Sequence, residues 1–254
     1  MKFYDTIIFD LDGTAIANEP NAIPTKTLIN AVKTFRSKVN LCAATGRSLT
    51  NAQYIFKALN LTAPCIISAG TQIVDPRTKK IIWEVPMDLN DSRKVLEACR
   101  PYPYKVLLGD EVIEIGKTAR EIQLTEQINV MYVMEVVEKD IEPLMEKFNN
   151  IKGITASKAS SWIRFRTDIH ITNKRATKEH SVKQLLKLLN TTREKSIGIG
   201  DGDNDIHLFK AVGLKIAMGN ATKNLKEKAD IIAEDVKDDG LAKVIEQYSQ
   251  NKLG

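Results

Sequence analysis

Short apolar runs alternate with segments of helical period through the first third of the chain, and few folds accommodate that order. The run Thr6–Asp10 is followed by Leu28, Ala31, Val32 and Phe35, which fall at i, i+3, i+4 and i+7 and so share one helix face. A second run, Val39–Ala44, leads through Thr45-Gly46-Arg47 into a helix marked by Leu49, Ala52, Phe56 and Leu59, and Cys65–Ser68 makes a third run. This βαβαβ rhythm predicts a parallel sheet with helices on both faces. It resumes near the C-terminus, where Val182, Leu185, Leu186 and Leu189 define a helix and Ser196–Gly200, Leu214–Met218 and Asp230–Ala233 read as strands.

Between these stretches the pattern changes. Tyr104–Leu108 turns at Gly109-Asp110 into Val112–Ile115, Ser161–Arg166 reads as a further strand, and helices are expected near Asp91–Cys99 and Asp140–Phe148. The fold class expected is α/β, a Rossmann-like doubly wound parallel sheet core with an inserted α+β domain. Residues 1–82 and 173–254 are assigned to the core and 83–172 to the insertion. A chain of 254 residues is long enough for either one large domain or two moderate ones. Ligands in such folds favour the carboxyl ends of the parallel strands and the crevice between domains.

Chemistry-bearing residues stand at those ends. Asp10 and Asp12 lie one residue apart where a buried strand meets the Gly13-Thr14 turn, and two carboxylates there cost several kcal/mol, on the order of a desolvated charge, unless a cation or hydrogen bonds compensate. Asp10, Thr45 and Asp201 each end a predicted parallel strand. The last opens Asp201-Gly202-Asp203-Asn204-Asp205, whose glycines permit close backbone approach. Carboxylates from two strand ends suit a hard, oxygen-liganded cation, Mg²⁺ by preference.

Other classes are disfavoured. The 37 basic and 32 acidic residues are spread along the chain without a Lys/Arg block, which reads as mild attraction for anions and not as nucleic-acid binding. Cys42, Cys65 and Cys99 lack metal-ligand spacing and read as reduced thiols. The N-terminal segment resembles neither a signal peptide nor a membrane anchor, no run reaches spanning length, and a cytoplasmic enzyme is expected. Asp201-x-Asp203-x-Asp205 begins like an EF-hand but has Ile206 where glycine is required and Val212 where the closing Glu belongs. Gly116-Lys117-Thr118 lacks the preceding P-loop glycine, and Gly198-x-Gly200-x-Gly202 lacks dinucleotide spacing. His170, His180 and His207 form no ligand pattern and read as structural or exposed. Trp162, Arg164 and Arg166 alternate with Ile163 and Phe165, so both arginines are expected on one strand face, either solvated or binding an acidic or sugar substrate.

Asp10-Leu11-Asp12-Gly13-Thr14, Thr45-Gly46-Arg47, Lys178 and Gly200-Asp201-Gly202-Asp203-Asn204-Asp205 resemble, in order and spacing, the four motifs of the haloacid dehalogenase-like phosphatases, and the insertion resembles the type IIB cap of the Cof-like branch. Ser68-Ala69-Gly70-Thr71, Met218-Gly219-Asn220-Ala221 and Asp238-Asp239-Gly240-Leu241-Ala242 are similar to recurring segments of that family. The resemblance implies a Mg²⁺-dependent phosphatase acting on small phosphorylated metabolites, such as a sugar phosphate or phosphoglycolate. Asp10 is then nucleophile and metal ligand, and Asp12 is general acid and base with its carbonyl on the metal. Asp201 and Asp205 complete the metal site, directly or through water for Asp205. Thr45 and the Gly46 amide hold phosphoryl oxygens, Lys178 offsets transition-state charge, Asn204 contacts substrate or orients its loop, and Arg47 reaches substrate or cap.

The sequence departs from the family pattern at Glu179, where many relatives carry Gly, and at Ala15; Lys174 and Lys183 are near alternatives to Lys178, which is preferred because it begins the Val182–Leu189 helix. The motifs leave open a phosphomutase on the same scaffold. An acidic pocket with a Thr and a Lys also fits a non-catalytic phospho-ligand binder or receiver, against which Asp12 and the insertion argue.

Overall fold

A computed structural model describes residues 3–108, 113–114 and 124–249. Five strands, β1 (Thr6–Phe9), β2 (Asn40–Ala43), β11 (Ser196–Gly200), β12 (Leu214–Ala217) and β13 (Ile231–Ile232), form one sheet in the order β13-β12-β11-β1-β2, and every pairing is parallel. All four residues of β1 and all five of β11 are buried, as both faces of a helix-covered sheet require. One face carries α1 (Lys26–Phe35), α2 (Leu49–Leu59) and α8 (Gly240–Ser249), and the other carries α5 (Lys178–Leu188) and α6 (Ile206–Ala211). Helix α1 starts where Thr25 Oγ1 accepts from the Leu28 amide at 3.1 Å, and it buries Leu28, Ala31, Val32 and Phe35 against the sheet. The short α7 (Lys223–Lys226) lies between β12 and β13. The chain leaves β1 for β2 on one side and returns through β11 on the other, so β1 and β11 flank the topological switch point.

β3 (Cys65–Ile67), the expected third strand, lies parallel beside the end of β2 but joins the sheet only weakly. It touches the parallel sheet through a single bridge, Ala44 with Ile66, and runs antiparallel to β4 (Gln72–Val74), which pairs with β5 (Ile81–Glu84). Trp83, the expected first residue of the insertion, lies within β5. The chain changes sheets just beyond it, between the Val85 amide bonded to Thr71 O and the Met87 amide bonded to Ile128 O.

A second, antiparallel sheet has the order β7-β6-β8-β10-β9, from β6 (Val106–Leu108), β7 (Ile113–Glu114), β8 (Val130–Val136), β9 (Ile154–Ser160) and β10 (Thr167–Asn173). One of its faces, with Val106, Met131, Val133, Ile169 and Ile171, packs on α3 (Leu89–Cys99) and α4 (Glu138–Asn149) as a separate hydrophobic cluster. The predicted strand Val112–Ile115 lies partly outside the described residues. The strand predicted at Ser161–Arg166 is absent: these residues form the turn between β9 and β10, with Arg166 N bonded to Ile163 O at 3.1 Å and Phe165 at φ 62°. Their alternation has nothing to pack against, since Trp162, Ile163 and Phe165 are all exposed, and the arginines therefore share no strand face. The strand lies instead at Ile154–Ser160, whose small and polar residues carry little strand signal. The three cysteines are buried and unpaired, with burial pushing Cys65 and Cys99 up to about 12. No helix among the described residues is long and apolar enough to cross a membrane.

Candidate active site

The carboxyl ends of β1 and β11 open onto one point. Asp10 follows β1 directly, its amide bonded to Ile199 O of β11 at 3.0 Å, and its side chain is buried. Asp201 follows β11, and the loop after it returns Asp205 beneath the strand end. Oxygen atoms of Asp10, Asp201 and Asp205 lie within 4.8 Å of one another. Lys178, the first residue of α5, reaches between them, with Nζ donating to Asp10 Oδ1 at 2.8 Å and to Asp205 Oδ1 at 2.7 Å. Lys174 is exposed and Lys183 pairs with Glu179, so neither competes for this position.

Electrostatics follow from that crowding. Burial pushes the Asp10 carboxyl up to about 7 despite the attraction of Lys178, and Asp205 and Asp12 add to the rise. Burial, then Asp10 and Asp205, hold Asp201 well above the carboxylate range against the Thr14 hydroxyl, which donates to its Oδ1 at 3.0 Å. Burial alone would lower the Lys178 ammonium, but Asp10 and Asp205 outweigh it and hold it above its usual value. With all three carboxylates ionised, the one ammonium leaves two negative charges in excess, matched by one divalent cation, and hard oxygen donors are the ligands such an ion takes. The residues fit a divalent metal. Asp205 is the least available of the three, because Lys178 holds Oδ1 and the Asp201 and Gly202 amides both donate to Oδ2 at 3.1 Å.

The turn after β1 is shaped around this cluster. Leu11 O accepts from the Thr14, Ala15 and Ile16 amides, and Asn220 Nδ2 clamps Gly13 O at 2.7 Å. Gly13 has φ 75°, and a Cβ there would lie 2.2 Å from Asp201 Oδ2, so both the backbone angle and the neighbouring carboxylate demand glycine. Asp12 points elsewhere. Its carboxylate is gripped by Arg47, Nη2 to Oδ1 at 2.6 Å and Nε to Oδ2 at 2.9 Å, and the guanidinium lies over Tyr54 and over Trp162 of the β9–β10 turn, 5.9 and 5.4 Å from the ring centres.

Thr45 and Gly46 end β2 opposite Asp10. Thr45 is fully buried and its Oγ1 accepts from the Arg47 amide at 3.1 Å, and among the described residues the Gly46 amide has no partner. The turn is held by Ser68 and Ala69, whose amides bond Arg47 O and Thr45 O from left-handed conformations at φ 52° and 57°. Asn204 lines the adjoining cleft of about 470 Å³, together with Asp10, Asp12, Gly46, Arg47 and Asp201. Asp10, Asp12, Gly46, Arg47, Asp201 and Asn204 thus share one cleft, with Lys178 and Asp205 bonded beneath it and Thr45 beside it, whereas Arg164 and Arg166 do not line it.

Sequence reasoning dismissed His170, and the structure places it in this cleft, beside Tyr132, Met134 and Leu107 from the same sheet face. The signal was present but faint: Asp168, His170 and Thr172 are polar at alternate positions of a strand whose Ile169 and Ile171 fill the core.

The sequence profile of the haloacid dehalogenase-like hydrolases matches residues 7–113 and 110–245. A phosphoglycolate phosphatase of Methanosarcina acetivorans is 26% identical over 261 residues, covering 99% of each chain. A 5-amino-6-(5-phospho-D-ribitylamino)uracil phosphatase of Bacillus subtilis is 24% identical over 244 residues, 95% of this chain and 94% of that one. A solved sugar phosphatase of HAD subclass IIB shares the fold at TM-score 0.77 and 17% identity, over 96% of this chain and 98% of its own. The chain belongs to the haloacid dehalogenase-like hydrolases, with the fold of their type IIB branch, and is a phosphoric monoester hydrolase.

Proposed function

We propose that this chain is a Mg²⁺-dependent phosphatase of small phosphorylated metabolites, working through a phosphorylated Asp10. The observation that carries the reading is the convergence of Asp10, Asp201, Asp205 and Lys178 at the floor of a cleft large enough for a small ester. Asp10 attacks phosphorus through its carboxylate as the bond to the leaving oxygen breaks, and water then cleaves the aspartyl-phosphate. Lys178 fixes the attacking carboxylate and offsets charge on the phosphoryl oxygens, while the Thr45 hydroxyl and the Gly46 amide hold those oxygens from the opposite strand end.

Asp12 protonates the leaving oxygen and deprotonates the hydrolytic water. In the geometry described it is paired with Arg47, so proton transfer requires that pair to open, with Arg47 retained by Tyr54 and Trp162. Asp10, Asp201 and the Asp12 carbonyl are the ligands assigned to Mg²⁺, and Asp205 supports them by holding Lys178 and the Asp201 loop. Bound there, the ion screens a carboxylate from the anionic phosphoryl group it attacks. Asn204 borders the substrate space.

The inserted unit, drawn at residues 83–172, covers the cleft as a cap and keeps bulk water from the aspartyl-phosphate. Its wall of Leu107, Tyr132, Met134 and Trp162 faces Asn18, Asn51 and Tyr54 of the core, a mixture suited to a small hydroxylated leaving group such as a sugar. Phosphoglycolate and phosphoribitylaminouracil, named for the relatives above, belong in the same test set. A phosphate-release screen over such monoesters, with Mg²⁺ and with chelator, decides the reading. Mg²⁺-dependent release lost in Asp10→Asn supports it; no release from any ester refutes it.

A further inference from the structure

The antiparallel sheet meets the core at the phosphoryl-binding turn itself. Leu107, Tyr132, His170 and Ser157 stand side by side across four strands of its core-facing side. Tyr132 Oη donates to Gly46 O at 2.7 Å, and its ring meets that of His170 edge-on, with centroids 4.8 Å apart at 87°. Gly46 makes room for the imidazole, since a Cβ there would lie 2.7 Å from His170 Cε1. The ring also borders a cavity of about 20 Å³, the room of one water, between Gly46, Lys178 and Asn204.

His170 is thus wedged between the Gly46 backbone and Lys178, with its ring bordering both the main cleft and the one-water cavity. Burial, then the charge of Lys178, push it down to about 4, so at neutral pH it carries one N–H donor and one acceptor and no charge. A neutral donor lining the cleft beside the turn that offers the Gly46 amide and the Thr45 hydroxyl is placed for the same acceptor they serve.

We propose that His170, braced by Tyr132, donates a hydrogen bond to a phosphoryl oxygen of the bound substrate, so that the phosphoryl cradle is complete only when the inserted sheet is docked on the Thr45–Arg47 turn. This rests on the phosphatase reading and adds a binding group supplied from outside the core. It predicts a loss that is independent of the leaving group.

The test compares wild type, His170→Ala, His170→Gln and Tyr132→Phe with Mg²⁺ present. Inorganic phosphate serves as inhibitor, and p-nitrophenyl phosphate, glucose 6-phosphate and phosphoglycolate serve as substrates. Loss of one hydrogen bond to a charged group predicts that His170→Ala weakens phosphate inhibition about tenfold or more and lowers kcat/KM by the same factor on every ester that wild type hydrolyses. His170→Gln, which keeps an N–H donor, recovers part of the loss, and Tyr132→Phe gives a smaller uniform loss. Unchanged phosphate inhibition in folded His170→Ala, no recovery in folded His170→Gln, or losses confined to particular leaving groups, overturns the proposal while leaving the phosphatase reading intact. A wild type that neither turns over an ester nor binds phosphate defeats that reading instead.

Discussion

Replacing Lys178 by Met removes the one ammonium among the three clustered carboxylates while keeping an unbranched side chain of nearly the same length. Lys178 is 4% exposed and bridges Asp10 and Asp205 at 2.8 and 2.7 Å, so the substitution strands two buried carboxylates without a cation. Breaking a buried pair on one side costs about 3–5 kcal/mol. At this chain length each kcal/mol lowers Tm by roughly 2 °C, so the metal-free variant melts about 8 °C below wild type at pH 8. Asp10 already titrates at about 7 against an ordinary value near 4, a raised folded-state pKa, and losing Lys178 raises it further. A raised acid contributes stability below its unfolded pKa and loses it as pH rises through the folded one. The deficit of Lys178→Met is therefore largest at pH 8 and shrinks toward pH 5, where Asp10 is protonated and needs no cation. Mg²⁺ narrows the gap by restoring positive charge, and Asp10→Asn combined with Lys178→Met recovers stability relative to the single variant. Calorimetry at pH 5 and 8, with chelator and with Mg²⁺, checks each step. A deficit that is absent, or that grows as pH falls, would refute the reasoning.

Gly13→Ala sets a methyl group against Asp201 and forces a left-handed alanine, so divalent-metal affinity in a titration is expected to fall at least about tenfold, with a smaller change in Tm. Trp162→Ala removes an exposed ring from the cleft wall and from Arg47. It is expected to raise KM for the best metabolite ester while leaving Tm within about 1 °C of wild type. His170 has a lowered folded-state pKa, so it contributes stability above about pH 6.5 that is lost as pH falls toward 4, at most about 3 kcal/mol. His170→Phe should flatten the acid limb of a denaturation series by up to that amount, and a variant with an unchanged limb would count against a neutral imidazole.

The core was legible because buried parallel strands are written as apolar runs, and their ends are where polar residues must begin. Asp10, Thr45 and Asp201 announced themselves in that way, and Lys178 was separable from Lys174 and Lys183 by its place at the start of a helix. The pairing of Asp12 with Arg47 was not legible, since nothing in either motif says whether the carboxylate faces the cluster or the neighbouring strand end. In the insertion, the alternation at Ser161–Arg166 imitated a strand that solvent leaves unsupported, while Ile154–Ser160 forms a strand through its pairing with β10 despite small, polar side chains. His170 was missed for a related reason. Its role depends on which face of the second sheet meets the core, and that is fixed by Tyr132 and Gly46, far apart in the chain.

The claim on which everything else rests is that Asp10 carries the phosphoryl group during turnover. Rapid quenching of the wild type with substrate and Mg²⁺, reductive trapping of the acyl-phosphate and peptide mass spectrometry test it directly. The account predicts trapped label at residue 10, absent in Asp10→Asn together with turnover. Label at another residue, or undiminished turnover by Asp10→Asn, would contradict it.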